Sequence, residues 1–282
     1  MDQGVTTNRG AVLVTGSSTG IGRATALHLD KLGFRVFAGV RRNEDGEALR
    51  AESSARLTPV IIDVSNEQSI KGAFEIISQA VGESGLSGLV NNAAVNHPGP
   101  LECLPADNIR QVIETNLIGT MLVIQTFLPL IRKCKGRIVN VGSIGGVSPM
   151  PFLAPYNASK AGVLALTTTL RRELAPFGIE VSLIVPGNIK TPIWGKGKAS
   201  LLSLSQNVGE PYRQAFEACA STLERLGPLG LPPEAVAKVI GKALTDNKPK
   251  VRYTIGRDAQ KQTLADKWLP ARFVDRVLPR LL

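Results

Sequence analysis

Ala11-Val12-Leu13-Val14-Thr15-Gly16-Ser17-Ser18-Thr19-Gly20-Ile21-Gly22 passes from a short apolar strand into a glycine-rich turn, and the next residues, Arg23 to Leu32, carry a helical pattern closed by Gly33. Each glycine has its own geometric task. Gly16 permits the tight turn, Gly20 lets the backbone approach a pyrophosphate, and Gly22 lets the helix lie close to the strand. Ser17, Ser18, Thr19 and Ile21 fill the turn, so that the helix N-terminus meets the anion. Glycines serve many loops that bind nothing. The position of these, directly after a first strand and inside a strand-helix-strand unit, is what points to a dinucleotide.

Outward from this turn the alternation continues. Phe34 to Val40 reads as a second strand, Asn43 to Glu52 as a helix, Pro59 to Ile62 as a third strand and Asn66 to Val81 as an amphipathic helix. Leu86 to Val90, Arg137 to Val141 and Ile179 to Val185 are further strands, separated by helical stretches around 107–134 and 156–175. Strands alternating with helices predict an α/β fold: a doubly wound parallel sheet of the Rossmann type, about seven strands with helices on both faces. One domain over residues 1–282 is expected, with a lid at about 190–228 and a tail at about 258–282. The Gly-, Lys- and Ser-rich run from Gly195 to Gly209 breaks the pattern and reads as a mobile insertion.

Bulk properties narrow the function. Hydrophobic residues at 43% and charged residues at 20% supply a packed core and no signature of disorder. The start Met1-Asp2-Gln3-Gly4 has no leader pattern, and the stretch Thr115 to Ile131 is shorter than the roughly 20 apolar residues of a spanning helix. Cys103, Cys134 and Cys219 lack metal-ligand spacing, so no metal is expected; free thiols fit a reducing compartment, the cytoplasm being the simplest. The net charge of +10 is dispersed over Arg132-Lys133-Cys134-Lys135, Arg171-Arg172 and Lys248-Pro249-Lys250 without interleaved aromatics, which argues against a nucleic-acid partner.

The end of the second strand, Ala38-Gly39-Val40-Arg41-Arg42, lacks the acid that would bond ribose hydroxyls and repel a 2′-phosphate. Arg41 and Arg42 can instead bond a phosphate, so NADP(H) is favoured over NAD(H). The alternative is that both arginines neutralise Glu44 and Asp45 at a helix start. Asp63-Val64 and Asn91-Asn92-Ala93-Ala94 stand at the ends of the third and fourth strands, facing the same crevice.

Tyr156-Asn157-Ala158-Ser159-Lys160 opens an apolar helix and puts Tyr156 and Lys160 on one face. Lowering a tyrosine pKa by about three units takes roughly 4 kcal/mol, much of which a nearby ammonium can supply. Ser143 ends the strand Arg137 to Val141, which the topology brings to the same crevice.

These motifs together resemble the short-chain dehydrogenase/reductase family, closely over about 10–190 and loosely beyond. The resemblance implies that Asn116, Ser143, Tyr156 and Lys160 form a catalytic set. Tyr156 would act as acid or base on the substrate oxygen and Ser143 would orient that oxygen. Lys160 would bind the nicotinamide ribose and depress the tyrosine, and Asn116 would hold a water leading to Lys160. It also implies that Asp63 bonds the adenine, that Asn91 and Ala93 line the adenosine side, and that Pro186-Gly187-Asn188-Ile189-Lys190-Thr191 brings Ile189 and Thr191 to the carboxamide. The family more often shows Gly where Ala94 stands. A complete catalytic set disfavours the competing class, a dinucleotide-binding sensor or scaffold without turnover.

Ile193, Trp194, Leu201, Leu202, Leu204, Val208, Tyr212 and Phe216 suggest an apolar lid over an apolar carbonyl or alcohol substrate; packing within the lid itself is the competing explanation. With Gly99-Pro100-Leu101-Glu102 the lid looks like the hydroxysteroid and retinol dehydrogenase branch. The apolar helices 115–131 and 156–174 lead to the expectation of a homodimer or homotetramer. Phe273, Val274, Val277 and Leu278, flanked by Arg272, Arg276 and Arg280, form a tail that would dock on its own subunit or a neighbour in preference to a membrane.

Overall fold

The computed structural model describes residues 9–205 and 210–277. Seven parallel strands form one sheet in the order β3-β2-β1-β4-β5-β6-β7. They are β1 (Ala11–Val14), β2 (Arg35–Val40), β3 (Leu57–Ile61), β4 (Gly88–Asn91), β5 (Arg137–Val141), β6 (Glu180–Pro186) and β7 (Arg252–Ile255). The strand order reverses between β1 and β4, and the crevice at that switch point is where such sheets take ligands. Residues in β1 alternate between the two cores. Leu13 joins Phe37, Ile77, Phe127 and Ile131 on one face, whereas Val12 and Val14 join Leu29, Val36, Ile184 and Ile240 on the other.

Helices α1 (Gly20–Lys31) and α2 (Asn43–Arg50) follow the first two strands, and α3 (Glu67–Val81) follows the third. The run from Ala106 to Lys133 is α4 (Ala106–Ile113), a π-helical turn over Glu114–Ile118 and α5 (Gly119–Lys133). By length and hydropathy this run would pass for a membrane span. Its Val112, Val123, Phe127 and Ile131 are nevertheless buried in the protein, and Gly119 packs so closely that a Cβ would stand 2.5 Å from the Val64 carbonyl oxygen. Helix α6 (Ala154–Leu174) follows β5 and carries Tyr156 and Lys160.

Beyond β6 the insertion is helical where it is described, as α7 (Ile193–Ser205) and α8 (Glu210–Leu226). The insertion read from Gly195 to Gly209 is thus helical as far as Ser205, and residues 206–209 lie outside the described residues. Gly195 and Gly197 cost helix propensity, but Leu201, Phe216 and Cys219 bury themselves in a small core of their own with Trp194, Leu204 and Tyr212 at its margin. Packing within the lid therefore accounts for several of the apolar residues, and Leu202 is exposed; Val208 lies outside the described residues.

Helix α9 (Pro233–Thr245) packs against α1, and α10 (Arg257–Trp268) and α11 (Ala271–Val277) follow β7. The first turn of α10 reaches the sheet: Asp258 accepts a 2.6 Å bond from the Asn188 backbone N–H. Farther along, Leu264, Trp268, Leu269 and Phe273 are exposed, Trp268 by 73%. These side chains stand clear of the chain's own body, which leaves a neighbour as the other docking surface expected for the tail; Leu278 and Arg280 lie outside the described residues.

Phe127 is fully buried at the centre of this core, edge-on to Phe74 with ring centroids 5.6 Å apart. Phe127→Ala is expected to lower the unfolding free energy by about 3–5 kcal/mol, read from the urea midpoint; a loss below about 1 kcal/mol would show that the helix does not depend on this contact.

Candidate active site

A cavity of about 1160 Å³ opens along the carboxyl ends of the strands. That exceeds the roughly 300–1,000 Å³ of a site for one small ligand and leaves room for two side by side. At one end lie Gly16, Ser18, Thr19, Gly20 and Ile21, with Arg41, Asp63, Val64 and Ala93 beside them.

The turn is held by packing that tolerates almost no side chain. A Cβ on Gly22 would stand 2.1 Å from the Gly16 carbonyl oxygen, and Gly16 itself has φ +66°. The Asn92 amide donates to the Thr15 and Gly16 carbonyls at 3.0 and 3.1 Å, and Thr15 Oγ1 accepts from the backbone N–H groups of Asn92 and Ala93. Ser17 is buried and donates to the Val14 carbonyl. Helix α1 starts without a side-chain cap and without an acid in its first turn, so its N-terminal N–H groups are left to an anion from the cavity. That suits a pyrophosphate. Gly22 and Ser17 thus shape the turn from behind, while Gly16 and Ser18 to Ile21 face the cavity.

The two arginines separate. Arg42 is tied to Asp45 through bonds of 3.0 and 3.1 Å, which raise its pKa above the ordinary value, and it does not line the cavity. Arg41 lines it and has no carboxylate partner among the described residues. The pairing weighed as an alternative therefore applies to Arg42 alone. Asn91 also departs from expectation: it lies within the sheet, donating to Asn140 Oδ1 at 2.8 Å, while its neighbour Asn92 reaches the crevice. Asp63 Oδ1 accepts from the Ser65 N–H and hydroxyl at the cavity edge.

At the other end Ser143, Tyr156 and Lys160 converge. Ser143 caps a short turn after β5, its Oγ accepting from the Gly145 N–H at 3.1 Å, and its hydroxyl is near enough to the Tyr156 oxygen to favour the phenolate. Lys160 is buried, donates to the Val141 carbonyl at 2.9 Å and stands 5.8 Å from the Tyr156 ring centroid. Burial pulls the Lys160 ammonium down to about 8. Burial also pushes the Tyr156 phenol above its ordinary value, with the Ser143 bond acting the other way. Without the oxidised nicotinamide, whose positive ring was part of the expected depression, desolvation of the phenolate outweighs the help of the Ser143 hydroxyl.

Asn116 does not line the cavity. Both hydrogens of its amide are spent, on the Val95 carbonyl and on Ser159 Oγ, and its Oδ1 accepts from the Val95 N–H. Ser159 in turn donates to the Tyr156 carbonyl at 2.7 Å. The Asn116 side chain thus ties the loop after β4 to the start of α6. Pro186, Gly187, Ile189 and Thr191 all line the cavity, and Thr191 lies against Gly20.

Further wall residues carry no local motif: His97, Gln111, Met150, Leu153, Leu229 and Leu231. Arg257, Asp258 and Gln262 come from α10, inside the stretch expected to be a tail. Only the fold brings them here.

Residues 10–201 match the family model for the short chain dehydrogenases. Relatives include the NADPH-dependent 3-dehydrocapnine reductase of Ornithobacterium rhinotracheale, 34% identical over 94% of both chains. The 17-beta-hydroxysteroid dehydrogenase type 6 of Bos taurus is 38% identical over 95% of this chain and 87% of its own. Retinol dehydrogenase 5 of Mus musculus is 35% identical over 96% and 88%. Among solved structures, a short chain dehydrogenase from Burkholderia cenocepacia in complex with NADP superposes with a TM-score of 0.74 at 26% identity, covering 97% of this chain and 98% of that one.

The direction of the Tyr156 shift is open to test. Phenolate absorbance of the cofactor-free protein, taken as wild type minus Tyr156→Phe, should titrate above the ordinary 10.0. Ser143→Ala should move it higher still. A downward move on losing Ser143 would remove the hydrogen bond from the account.

Proposed function

Because the chain belongs to the short chain dehydrogenase family, in the branch of the hydroxysteroid and retinol dehydrogenases, we propose that it moves a hydride between NADP(H) and the carbonyl or carbinol carbon of a bulky apolar substrate. Membership makes it an oxidoreductase acting on CH–OH groups with a nicotinamide dinucleotide. The observation that carries the reading is one cavity with a capless helix start and an unpaired Arg41 at one end, and Tyr156 with Ser143 and Lys160 at the other.

When bound, the reduced cofactor supplies the hydride for the carbonyl carbon. The chain's own groups manage the oxygen and the proton. Tyr156, held protonated by burial, donates its phenolic hydrogen to the carbonyl oxygen in the reductive direction. Ser143 is oriented by the Gly145 N–H and donates to the same oxygen. Lys160, with a pKa of about 8, remains cationic at neutral pH and stabilises the phenolate that Tyr156 leaves behind. In the oxidative direction the same groups act in reverse.

NADP(H) preference is supported by Arg41, by the absence of an acid at the end of β2 and by the NADPH dependence in the name of one relative. The apolar substrate is supported by Met150, Leu153, Ile193, Trp194, Leu229 and Leu231 along the wall. A homo-oligomer is supported by the exposed Ile118 and Met121 beside α5 and by the solvent-facing Ala154, Ala158, Ala161 and Ala165 of α6. Free thiols at Cys103, Cys134 and Cys219 fit the cytoplasm. The exposed Trp268 and Phe273 support docking of the tail on a neighbouring subunit, with membrane contact the secondary reading.

A screen of steroid, retinoid and aliphatic ketones and alcohols with both cofactors should find turnover of bulky apolar members, and preference for small polar ketones would contradict the substrate class. Tyr156→Phe should lower kcat/KM by roughly 10²–10⁴ while cofactor affinity stays close to wild type. Arg41→Ala should weaken NADPH roughly 10- to 100-fold, as for loss of one charge-assisted bond, and leave NADH unchanged; Arg42→Ala should do far less. Equal NADPH affinity in wild type and Arg41→Ala would remove the phosphate assignment.

A further inference from the structure

The loop after β4 places His97 in the substrate half of the cavity wall, with its two ring nitrogens spent on two different layers. Nε2 lies 2.7 Å from Gln111 Oε1 on α4. A carbonyl oxygen can only accept, so Nε2 carries the proton. Nδ1 lies 2.9 Å from Ser200 Oγ on α7, within hydrogen-bond distance of that hydroxyl. One imidazole therefore joins the body of the protein to the lid.

Helix α7 is also the element that brings Ile193, Trp194 and Lys196 to the cavity. Its Gly197 passes close to Pro98, where a Cβ would be 3.4 Å from Pro98 Cγ, so lid and loop are already in contact beside the histidine. A second tie, from the Tyr212 hydroxyl of α8 to the Glu102 carboxylate, is exposed and lies away from the cavity. Neither residue of that tie touches the space a substrate would fill, whereas His97 does.

We propose that His97 is a specificity-determining positioning residue, which pins α7 to α4 through Ser200 and Gln111 and so sets where Ile193 and Trp194 stand against a bulky apolar substrate. The kinetic consequence rests on the oxidoreductase reading above; the mechanical one does not. With the pin removed, the apolar wall loses its fixed distance from Ser143 and Tyr156. A bulky substrate, which needs that wall, should suffer in KM, while a small ketone should not.

The chain has two tryptophans, so in a Trp268→Phe background the fluorescence reports Trp194 on the lid alone. Acrylamide quenching of Trp194 without any substrate should rise in His97→Ala and in Ser200→Ala. In the double variant it should rise no further than in either single one, because both remove the same link. With ketones, the ratio of kcat/KM for a bulky apolar over a small one should fall about tenfold in both variants, through KM. Ser200→Ala should keep its rate with the small ketone.

Unchanged quenching in both variants would overturn the pin. Raised quenching with an unaltered ratio would overturn the role in specificity. A wild type that reduces no ketone would defeat the functional reading instead, and the quenching measurement would still decide the pin.

Discussion

Burying a lysine ammonium is costly, and the position of Lys160 beneath Tyr156 is the constraint from which the rest of the site follows. The Val141 carbonyl at 2.9 Å is the one hydrogen-bond partner of Nζ among the described residues, and burial pulls the group down to about 8. Helix α6 sets the ammonium against the last carbonyl of β5. Asn116 and Ser159 fix the start of that helix by a chain of hydrogen bonds ending at the Tyr156 carbonyl. The π-helical turn around Asn116 aims its amide at the loop after β4 and at α6 together. A helix turn that would otherwise be a local irregularity thus holds the phenol and the cation in register.

Much of this was legible in the sequence because the determinants are local. The glycine turn, the alternation of Val12, Leu13 and Val14, and the strand ends carrying Ser143 and Pro186 are each read from a few adjacent residues. β7 was not placed, since Arg252-Tyr253-Thr254-Ile255 is a four-residue edge strand with one buried residue and little pattern. The helix of the lid was hidden for the opposite reason. Gly195, Gly197 and several serines argue locally for a loop, and only the long-range core around Leu201 and Phe216 makes the segment a helix.

The site divides along the same line. Residue types identified Ser143, Tyr156 and Lys160, but the burial that raises the phenol against the pull of Ser143 depends on the whole surroundings of the ring. Arg41 and Arg42 are indistinguishable in the sequence. In the fold, Asp45 three residues on takes Arg42 and leaves Arg41 facing the cavity. His97, Gln111 and Asp258 belong to no motif; each matters through a partner distant in the chain, Ser200, the histidine ring and the Asn188 backbone.

The most direct measurement of the whole arrangement is a crystal structure of the protein soaked with NADP. It should show the 2′-phosphate against Arg41, the pyrophosphate at the start of α1, and the nicotinamide ring between Thr191 and the Ser143, Tyr156 and Lys160 side chains. A dinucleotide lying the other way round, or a nicotinamide ring remote from Tyr156, would contradict the account.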